Sequence, residues 1–411
     1  MDSEPLTPRQ QRAFAIVRAL RARIERLAGP RWIVPSQTDP ASKYVVNVDA
    51  RTCTCRDHED RGVACKHVLA VEIVRANVTL PDGTTVTARQ TRVTYKQEWP
   101  SYNAAQTNER AHVQLLLRGL CDGIVQPPYK GNGRRPLPLA DIVYGAAMKV
   151  YGGMSGRRSM SDLRAVAADG LVTKVPCYNT LFNYLDDAAT MTPLLKMLVH
   201  EAASPLRPLE SAFATDATGI ATKTYVRWFD HKWGGERKEL RWLKLHAQVG
   251  VDTNAIVSVA ATPSDVGDAP MAIPLLESSV HRGWNVTELS LDKAYLSNAI
   301  LKAVEDLGSV PYVPFKLNSK PTGKTDAWCR LWHRFESAPE DTAAHYHLRS
   351  NVESTFSAMK RLFGASVRAK TADAQINEAL LKCLCFNLTC VVHATYKCGI
   401  EPSFWAKLEA A

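Results

Sequence analysis

Tyr346, Arg349, Glu353 and Lys360 stand three, four and seven residues apart in HYHLRSNVESTFSAMKRLFG, intervals that place all four side chains on one stripe of an α-helix. Val352, Phe356, Met359 and Phe363 follow the same period on an adjoining face, which predicts a helix buried on that side. A carboxylate between two cations and a phenol suits a metal held beside a phosphate. The same pattern also fits an ordinary amphipathic helix with charges on its wet face. Two carboxylates upstream decide between these readings.

Asp216 lies in SAFATDATGI, where Phe213 and Thr215 alternate with Ala214 and Asp216 as in a strand. A charge on a sheet face opposite a core residue needs a partner or a metal. Asp292 follows Leu289 and Leu291 at the carboxyl end of a second strand, and Ser297 is placed to cap the helix after it. Carboxylates at strand ends facing a helical Glu can hold two divalent metals, roughly 3.5–4 Å apart, in a site for phosphoryl transfer. Hard oxygen ligands favour Mg²⁺ or Mn²⁺ over zinc. Asp265 and Asp268, just after Thr262-Pro263, read as caps of a helix start, with support of the carboxylate site as the alternative for Asp268. Asp252 reads as part of a hairpin turn.

From about residue 210 to 395 the chain resembles the DDE transposases of insertion sequences. DATG carries the first Asp, WLKLHAQVGVDTNAIVSVAATPSDVGDAP resembles the next two strands and the turn into a helix, LDKAYLS carries the second Asp, and RSNVESTFSAMKRLFG carries the Glu. The Y-x2-R-x3-E-x6-K spacing is met without a gap. The resemblance implies an α/β, RNase H-like catalytic core, a mixed sheet flanked by helices. It implies that Asp216, Asp292 and Glu353 are the metal-binding catalytic triad, and that Tyr346, Arg349 and Lys360 contact DNA phosphates or steady the Glu helix. The 60 residues between Asp292 and Glu353 leave room for one helix, one strand (VPYVPF) and a loop, so a compact core without a large β-rich insertion is expected.

Near the amino terminus, Cys53-x-Cys55 and Cys65-x-His67 stand nine residues apart in TCTCRDHEDRGVACKHVLAVEI. Three thiolates and an imidazole suit tetrahedral Zn²⁺ with no position left open for catalysis. His58, the nearest spare ligand, reads as part of the exposed acidic loop. The C-x-C-x(n)-C-x-H pattern resembles the SWIM-type zinc finger over roughly residues 30–75. WIVPSQ and YVVNVDA would be its strands and KHVLAVEIVRA its closing helix, a small zinc-stapled ββα-like unit. The resemblance implies a module that binds DNA or protein; a zinc-stapled domain packed on the rest of the chain is the alternative.

The 411 residues suffice for two or three domains with their own cores, and 45% hydrophobic content excludes a disordered chain. The net charge of +10 favours a polyanionic partner. No apolar run is expected to span a bilayer, MDSEPLTPRQ is no secretion signal, and ten cysteines then imply reduced thiols in a cytoplasmic, nucleoid-associated protein. Cys383, Cys385 and Cys390 read as buried packing residues of an apolar helix.

Four segments follow: residues 1–98 with a first helix and the finger, 99–136 with a helix and a basic linker, an all-helical 137–206, and 207–400 with the catalytic core. The first helix is expected from Thr7-Pro8 through Leu27, and a hairpin over 77–98 around Pro81-Asp82-Gly83. Lys130, Arg134 and Arg135 of the linker could meet a phosphate. The helices of 137–206 fit a helix-turn-helix-like unit with Arg157 and Arg158 beside its middle helix and Tyr178, Asn179 and Asn183 as candidate base readers, or a plain scaffold. Trp228 and Trp233 could stack on unpaired bases or pack a turn. The expected function is a DNA transposase that cuts and joins element ends and target DNA, at least a homodimer when two ends are paired, with no membrane partner. A metal-dependent nuclease, or a non-transposing zinc DNA-binding protein, is the alternative.

Overall fold

The structure is a computed structural model that describes residues 7–20, 23–27, 30–37, 39, 42–75, 98–133, 135–222, 242–316, 319–321 and 325–405. Most of the hairpin expected over 77–98, together with Arg134, Trp228 and Trp233, lies outside the described residues. The chain divides into two compact units, Met1–Gln97 and Glu98–Ala411.

In the first unit, helix α1 (Pro8–Leu20) precedes a four-stranded antiparallel sheet of β1 (Glu25–Arg26), β2 (Arg31–Pro35), β3 (Lys43–Asn47) and β4 (Thr52–Cys53), in that order. Helices α2 (Arg56–Arg61) and α3 (Lys66–Arg75) follow. The first helix therefore stops at Leu20, not Leu27: Glu25 and Arg26 pair with Ile33 and Trp32, and Ile24 drops into the core. That core is small and made mostly of short side chains, among them Ala13, Ile16, Val34, Val46, Val68 and Val71. A core of this size stabilises a fold only marginally, so a metal staple carries much of the stability.

The second unit opens with five helices: α4 (Trp99–Asp122), α5 (Leu139–Tyr151), α6 (Ser159–Ala168), α7 (Tyr178–Asp186) and α8 (Ala188–Ala203). The exposed, breaker-rich stretch between α4 and α5 ends where Gln126 Oε1 accepts the Leu139 N–H at 2.7 Å. Strands β5 (Ala212–Ala221), β6 (Trp242–Gly250) and β7 (Ile256–Pro263) come next, then α9 (Ala269–His281), β8 (Glu288–Leu291), α10 (Asn298–Asp306) and β9 (Val310–Tyr312). The chain closes with α11 (Asp326–Ser337), α12 (Pro339–His347), α13 (Ser350–Phe363) and α14 (Ala372–Cys398).

The five strands form one mixed sheet in the order β7-β6-β5-β8-β9, antiparallel across β7, β6 and β5 and parallel across β5, β8 and β9. An α/β core of the RNase H-like type is what this topology describes. Alternation along β5 explains the two-faced packing: Ala214 joins a core with α4–α8, α13 and most of α14, while Phe213 joins the opposite core with Leu289, Trp284, Leu301 and Leu331. Helices α4–α8 thus share a core with the sheet. Within α14, Asn387 accepts the Ile256 N–H at 2.8 Å and donates to the Val199 and Ile256 carbonyls, stitching α8 to β7. Helix α14 is long and apolar enough to cross a membrane, contrary to the expectation that no run reaches that length, but 78% of its most apolar window is buried inside the protein. It is the core helix of the unit, and Cys383 and Cys385 pack within it.

The β6–β7 turn is braced by a buried carboxylate. Glu210 accepts the N–H groups of Asp252 and Thr253 at 3.0 and 2.9 Å and the Thr253 hydroxyl at 2.9 Å. A Cβ at Gly250 would lie 2.3 Å from that carboxylate, so only glycine fits there. Asp252 sits in this turn as its sequence context implies.

Candidate active site and zinc centre

Asp216 sits where β5 parts from β8. Thr215 pairs with Leu291 in the last register position of the parallel ladder, so Asp216 and Asp292 are the next residues on adjacent strands, with backbones on the order of 5 Å apart. Each turns one oxygen back onto the following amide: Asp216 Oδ1 accepts from Ala217 N at 2.8 Å and Asp292 Oδ1 from Lys293 N at 2.7 Å.

Helix α13 supplies the third carboxylate. Its buried face is Val352, Phe356 and Met359, as the period implies. Asn351 Nδ2 donates to the Val251 carbonyl at 3.2 Å and Thr355 Oγ1 to Asn254 Oδ1 at 3.0 Å, which fixes the helix against the β6–β7 turn. The preceding α12 docks on the far strands: His345 stacks on Tyr312 with ring centroids 4.6 Å apart, and its Nδ1 lies 2.6 Å from the Glu288 carboxylate.

The predicted single stripe is broken in one place. Tyr346 lies on the last turn of α12 and Arg349 precedes the first residue of α13, the two helices being joined by a tight turn of Arg349 N to Tyr346 O (3.0 Å) and Val352 N to Arg349 O (3.1 Å) bonds. Helix α12 packs on β8 and β9, while α13 packs on β5 and β6. The interval between Asp292 and Glu353 is also more helical than expected, holding α10, α11 and α12 with the short strand β9. The space expected for a loop is used by α11, whose Trp328 and Leu331 complete the second core.

Arg349 joins two of the three carboxylates. Its Nη1 donates to Asp216 Oδ2 at 2.8 Å and its Nη2 to Glu353 Oε1 at 2.6 Å, a fork spread across two acids that come from residues far apart in sequence. Burial pushes the Asp216 carboxyl above the usual aspartate range; the Ala217 N–H and Arg349 oppose this, and the charges of Asp292 and Glu353 add to it. Lys360 lies further along α13, where its Nζ donates to Thr218 Oγ1 at 2.6 Å, two residues beyond Asp216 on the same face of β5. Burial lowers the Lys360 pKa. Tyr346 is half-buried, with its ring centroid 6.0 Å from that of His347.

Lys244, His246 and Tyr295 lie beside the site and were not singled out by sequence; the first two bear on Asp268. Asp268 does not cap α9; it pairs with Lys244 at 2.8 Å and lies 3.3 Å from His246 Nδ1, and His246 Nε2 meets Thr262 Oγ1 at 2.9 Å. The alternation of Lys244 and His246 along β6 was the available signal. Tyr295, in the turn after Asp292, is buried with its hydroxyl unpartnered among the described residues. Burial raises its pKa, and Asp216, Asp268 and Asp292 raise it further.

In the first unit, Cys53, Cys55, Cys65 and His67 are all buried, with ligand atoms within 4.8 Å of one another. The His67 Nδ1 stands 3.8 Å from Cys53 Sγ and 3.9 Å from Cys65 Sγ. Metal–ligand bonds of about 2.0–2.3 Å give a tetrahedron with edges of roughly 3.5–4 Å, so the cluster fits Zn²⁺. The hydrogen bond with Cys53 chiefly drives Cys65 down to about 3, while burial pushes Cys55 up and the Cys65 contact pushes Cys53 up. One thiolate is therefore already favoured among the three sulfurs. His58 stays outside, its Nδ1 2.8 Å from the Val63 carbonyl oxygen.

Residues 207–388 match the family model described as the transposase DDE domain, and residues 44–76 match that of the SWIM zinc finger. The chain carries a transposase DDE domain and a SWIM zinc finger. The first match spans all five strands of the sheet and ends within α14; the second spans β3, β4 and the four zinc ligands. Among solved structures, a chain of the "CryoEM structure of simian T-cell lymphotropic virus intasome in complex with PP2A regulatory subunit B56 gamma" is 16% identical, with 34% of this chain and 47% of that chain covered and a TM-score of 0.19. The match thus spans about half of that chain's length.

Proposed function

We propose that the protein is a DNA transposase whose strand cleavage and strand transfer both take place at Asp216, Asp292 and Glu353. The observation that carries this reading is the Arg349 fork, which gathers Asp216 and Glu353 at the point where Asp292 ends the neighbouring strand. Hard carboxylate oxygens suit Mg²⁺ or Mn²⁺, and two such ions activate an attacking oxygen and stabilise a leaving oxygen in phosphoryl transfer. Asp216 and Asp292 present their carboxylates from a rigid sheet, while Glu353 presents its own from a helix pinned at both the Asn254 turn and, through α12, at β8. Arg349 holds Asp216 and Glu353 in register, and with Lys360 and Tyr346 it faces the phosphates of a bound strand. Water is the first nucleophile and the freed 3′-hydroxyl the second. Each displacement is in line at phosphorus, so neither a covalent protein–DNA intermediate nor ATP is needed.

In this reading the helices of residues 137–206 form the element-end-binding region, with Asn179 and Asn183 exposed on α7 and Tyr178 half-buried beside them. The zinc finger is a structural module that adds a DNA or protein contact, and pairing two element ends brings two copies of the chain together. The test is an in vitro assay with DNA from the gene's own flanks, Mg²⁺ or Mn²⁺, and wild type beside Glu353→Gln. Metal-dependent cutting and joining, lost in the variant, is the expected result. Cutting without joining would make the protein a nuclease, and chemistry unchanged in the variant would remove Glu353 from the site.

A further inference from the structure

A second charged feature lies at the other end of β5 from Asp216. The loop after α13 is stitched to that end of the strand by Ala221 N to Ala365 O (3.1 Å) and Val367 N to Ala221 O (2.9 Å) bonds. Ala221 lies five residue steps along the strand from Asp216, a span of roughly 17 Å. Beyond the stitch, the loop closes one wall of a cavity of about 480 Å³ whose other walls are α5 and α7. Lys149, Ser155, Lys370 and Thr371 line it together with Arg368 and Glu378.

Lys149 is the unusual member. It is 6% exposed, and its ammonium stands 5.7 Å from the centre of the Phe182 ring, with no hydrogen-bond acceptor or ion-pair partner among the described residues. The other buried lysine nearby, Lys382, is satisfied by the Gly364 and Ser366 carbonyls, each at 2.8 Å. The acids around Lys149 are engaged elsewhere: Glu378 accepts the N–H groups of Arg368 and Ala369 at 3.0 and 2.8 Å, and Asp186 accepts from the Thr371 hydroxyl. Burial pulls the Lys149 pKa down, with Glu378 opposing and Arg368 adding to the effect. A buried side chain whose ammonium faces a cavity with no partner is stabilised by an anion that enters it. Arg368, whose Nη1 donates to the Gly153 carbonyl at 2.6 Å, fixes the cavity's mouth. Met154 is shared with a neighbouring cleft of about 530 Å³, where Arg157, Arg158 and Arg164 are exposed.

We propose that this cavity seats a backbone phosphate of the bound DNA strand, held by Lys149 and Lys370 with the Ser155 hydroxyl, and that the neighbouring arginines carry the strand onward. The inference rests on DNA being the substrate and adds a second anchor, outside the carboxylate site, that fixes how a strand lies along β5. Because the loop is bonded to β5, a phosphate held there positions the strand relative to Asp216 without touching the reacting atoms.

The experiment measures binding of the full-length, zinc-loaded protein to a short DNA duplex with a single-stranded tail, by fluorescence anisotropy across a salt series. Two variants are compared with wild type: Lys149→Met, and the exposed pair Arg157→Ala with Lys370→Ala. Each lost phosphate contact is expected to lower the slope of log affinity against log salt by about 0.7–0.9. Lys149→Met is expected to weaken binding about tenfold, the scale of a lost charge-assisted hydrogen bond. Wild-type affinity and slope in the double variant would overturn the proposal and leave the DNA reading standing. Absence of salt-dependent DNA binding by wild type would overturn both. If Lys149→Met shifts the melting temperature, the double variant, altered only on the surface, decides alone.

Discussion

The zinc centre and the carboxylate site of this protein are built by opposite strategies. The zinc centre takes all its ligands from residues 53–67, all buried, around a hydrophobic core too small to fold strongly by itself. The carboxylate site draws Asp216, Asp292 and Glu353 from two strands and a helix, and leaves Glu353 exposed and the two aspartates half-buried. The zinc ligands close a shell and hold a fold; the carboxylates are held by a fold that stands without them. Structure depends on metal in the first unit; in the second, under the proposed function, metal would serve chemistry and not the fold.

The largest expected effect separates the two directly. Removing zinc with a chelator should unfold the Met1–Gln97 unit, since apparent zinc binding in small finger domains is worth about 10–16 kcal/mol. Hydrogen exchange should show protection lost in β2, β3 and α3 and kept in the sheet of the second unit; loss in both would break the contrast. Asp216→Asn should lower strand cleavage at least about 10²-fold, the scale of a lost transition-state charge stabiliser, with zinc content unchanged by atomic absorption. Arg349→Lys should cost about tenfold in cleavage, because an ammonium cannot span Asp216 and Glu353 as the guanidinium fork does. A variant as active as wild type would remove the fork from the account.

The smallest effects are on proton linkage. Zinc loading should release protons, measured by calorimetry in buffers of different ionisation heat, because the Cys53 and Cys55 thiols are pushed up and must ionise to bind zinc. At the carboxylate site the sign is set by Asp216. Its pKa is raised, so its proton competes with a divalent ion to a higher pH than an ordinary aspartate's would. Mn²⁺ affinity should therefore climb as pH rises above the usual aspartate range, and flatten once Asp216 is fully ionised. Affinity independent of pH across that window would show that Asp216 does not ligate.

What the sequence made legible was local. The zinc ligands and the buried face of α13 follow from spacing alone, because each lies within one element or a short span. Ser297 caps α10 as read, accepting from Ile300 N at 3.2 Å. The misses came from tertiary partners that no window contains. The break between Tyr346 and Arg349 serves the docking of His345 against Glu288 and Tyr312, residues more than thirty positions upstream. Asp268 looked like a cap because its neighbours are turn formers, yet Lys244 and His246 on β6 take it instead. The first helix was extended too far because the periodicity of α1 continues past the point where Glu25 and Arg26 find strand partners.

The most direct test of the central claim is the location of Mn²⁺ by anomalous diffraction from crystals of the full-length protein. The account predicts peaks bounded by the carboxylates of Asp216, Asp292 and Glu353, lost in the Asp216→Asn protein, and a separate zinc signal at Cys53, Cys55, Cys65 and His67 in both. Manganese bound elsewhere, with nothing between the three carboxylates, would contradict it.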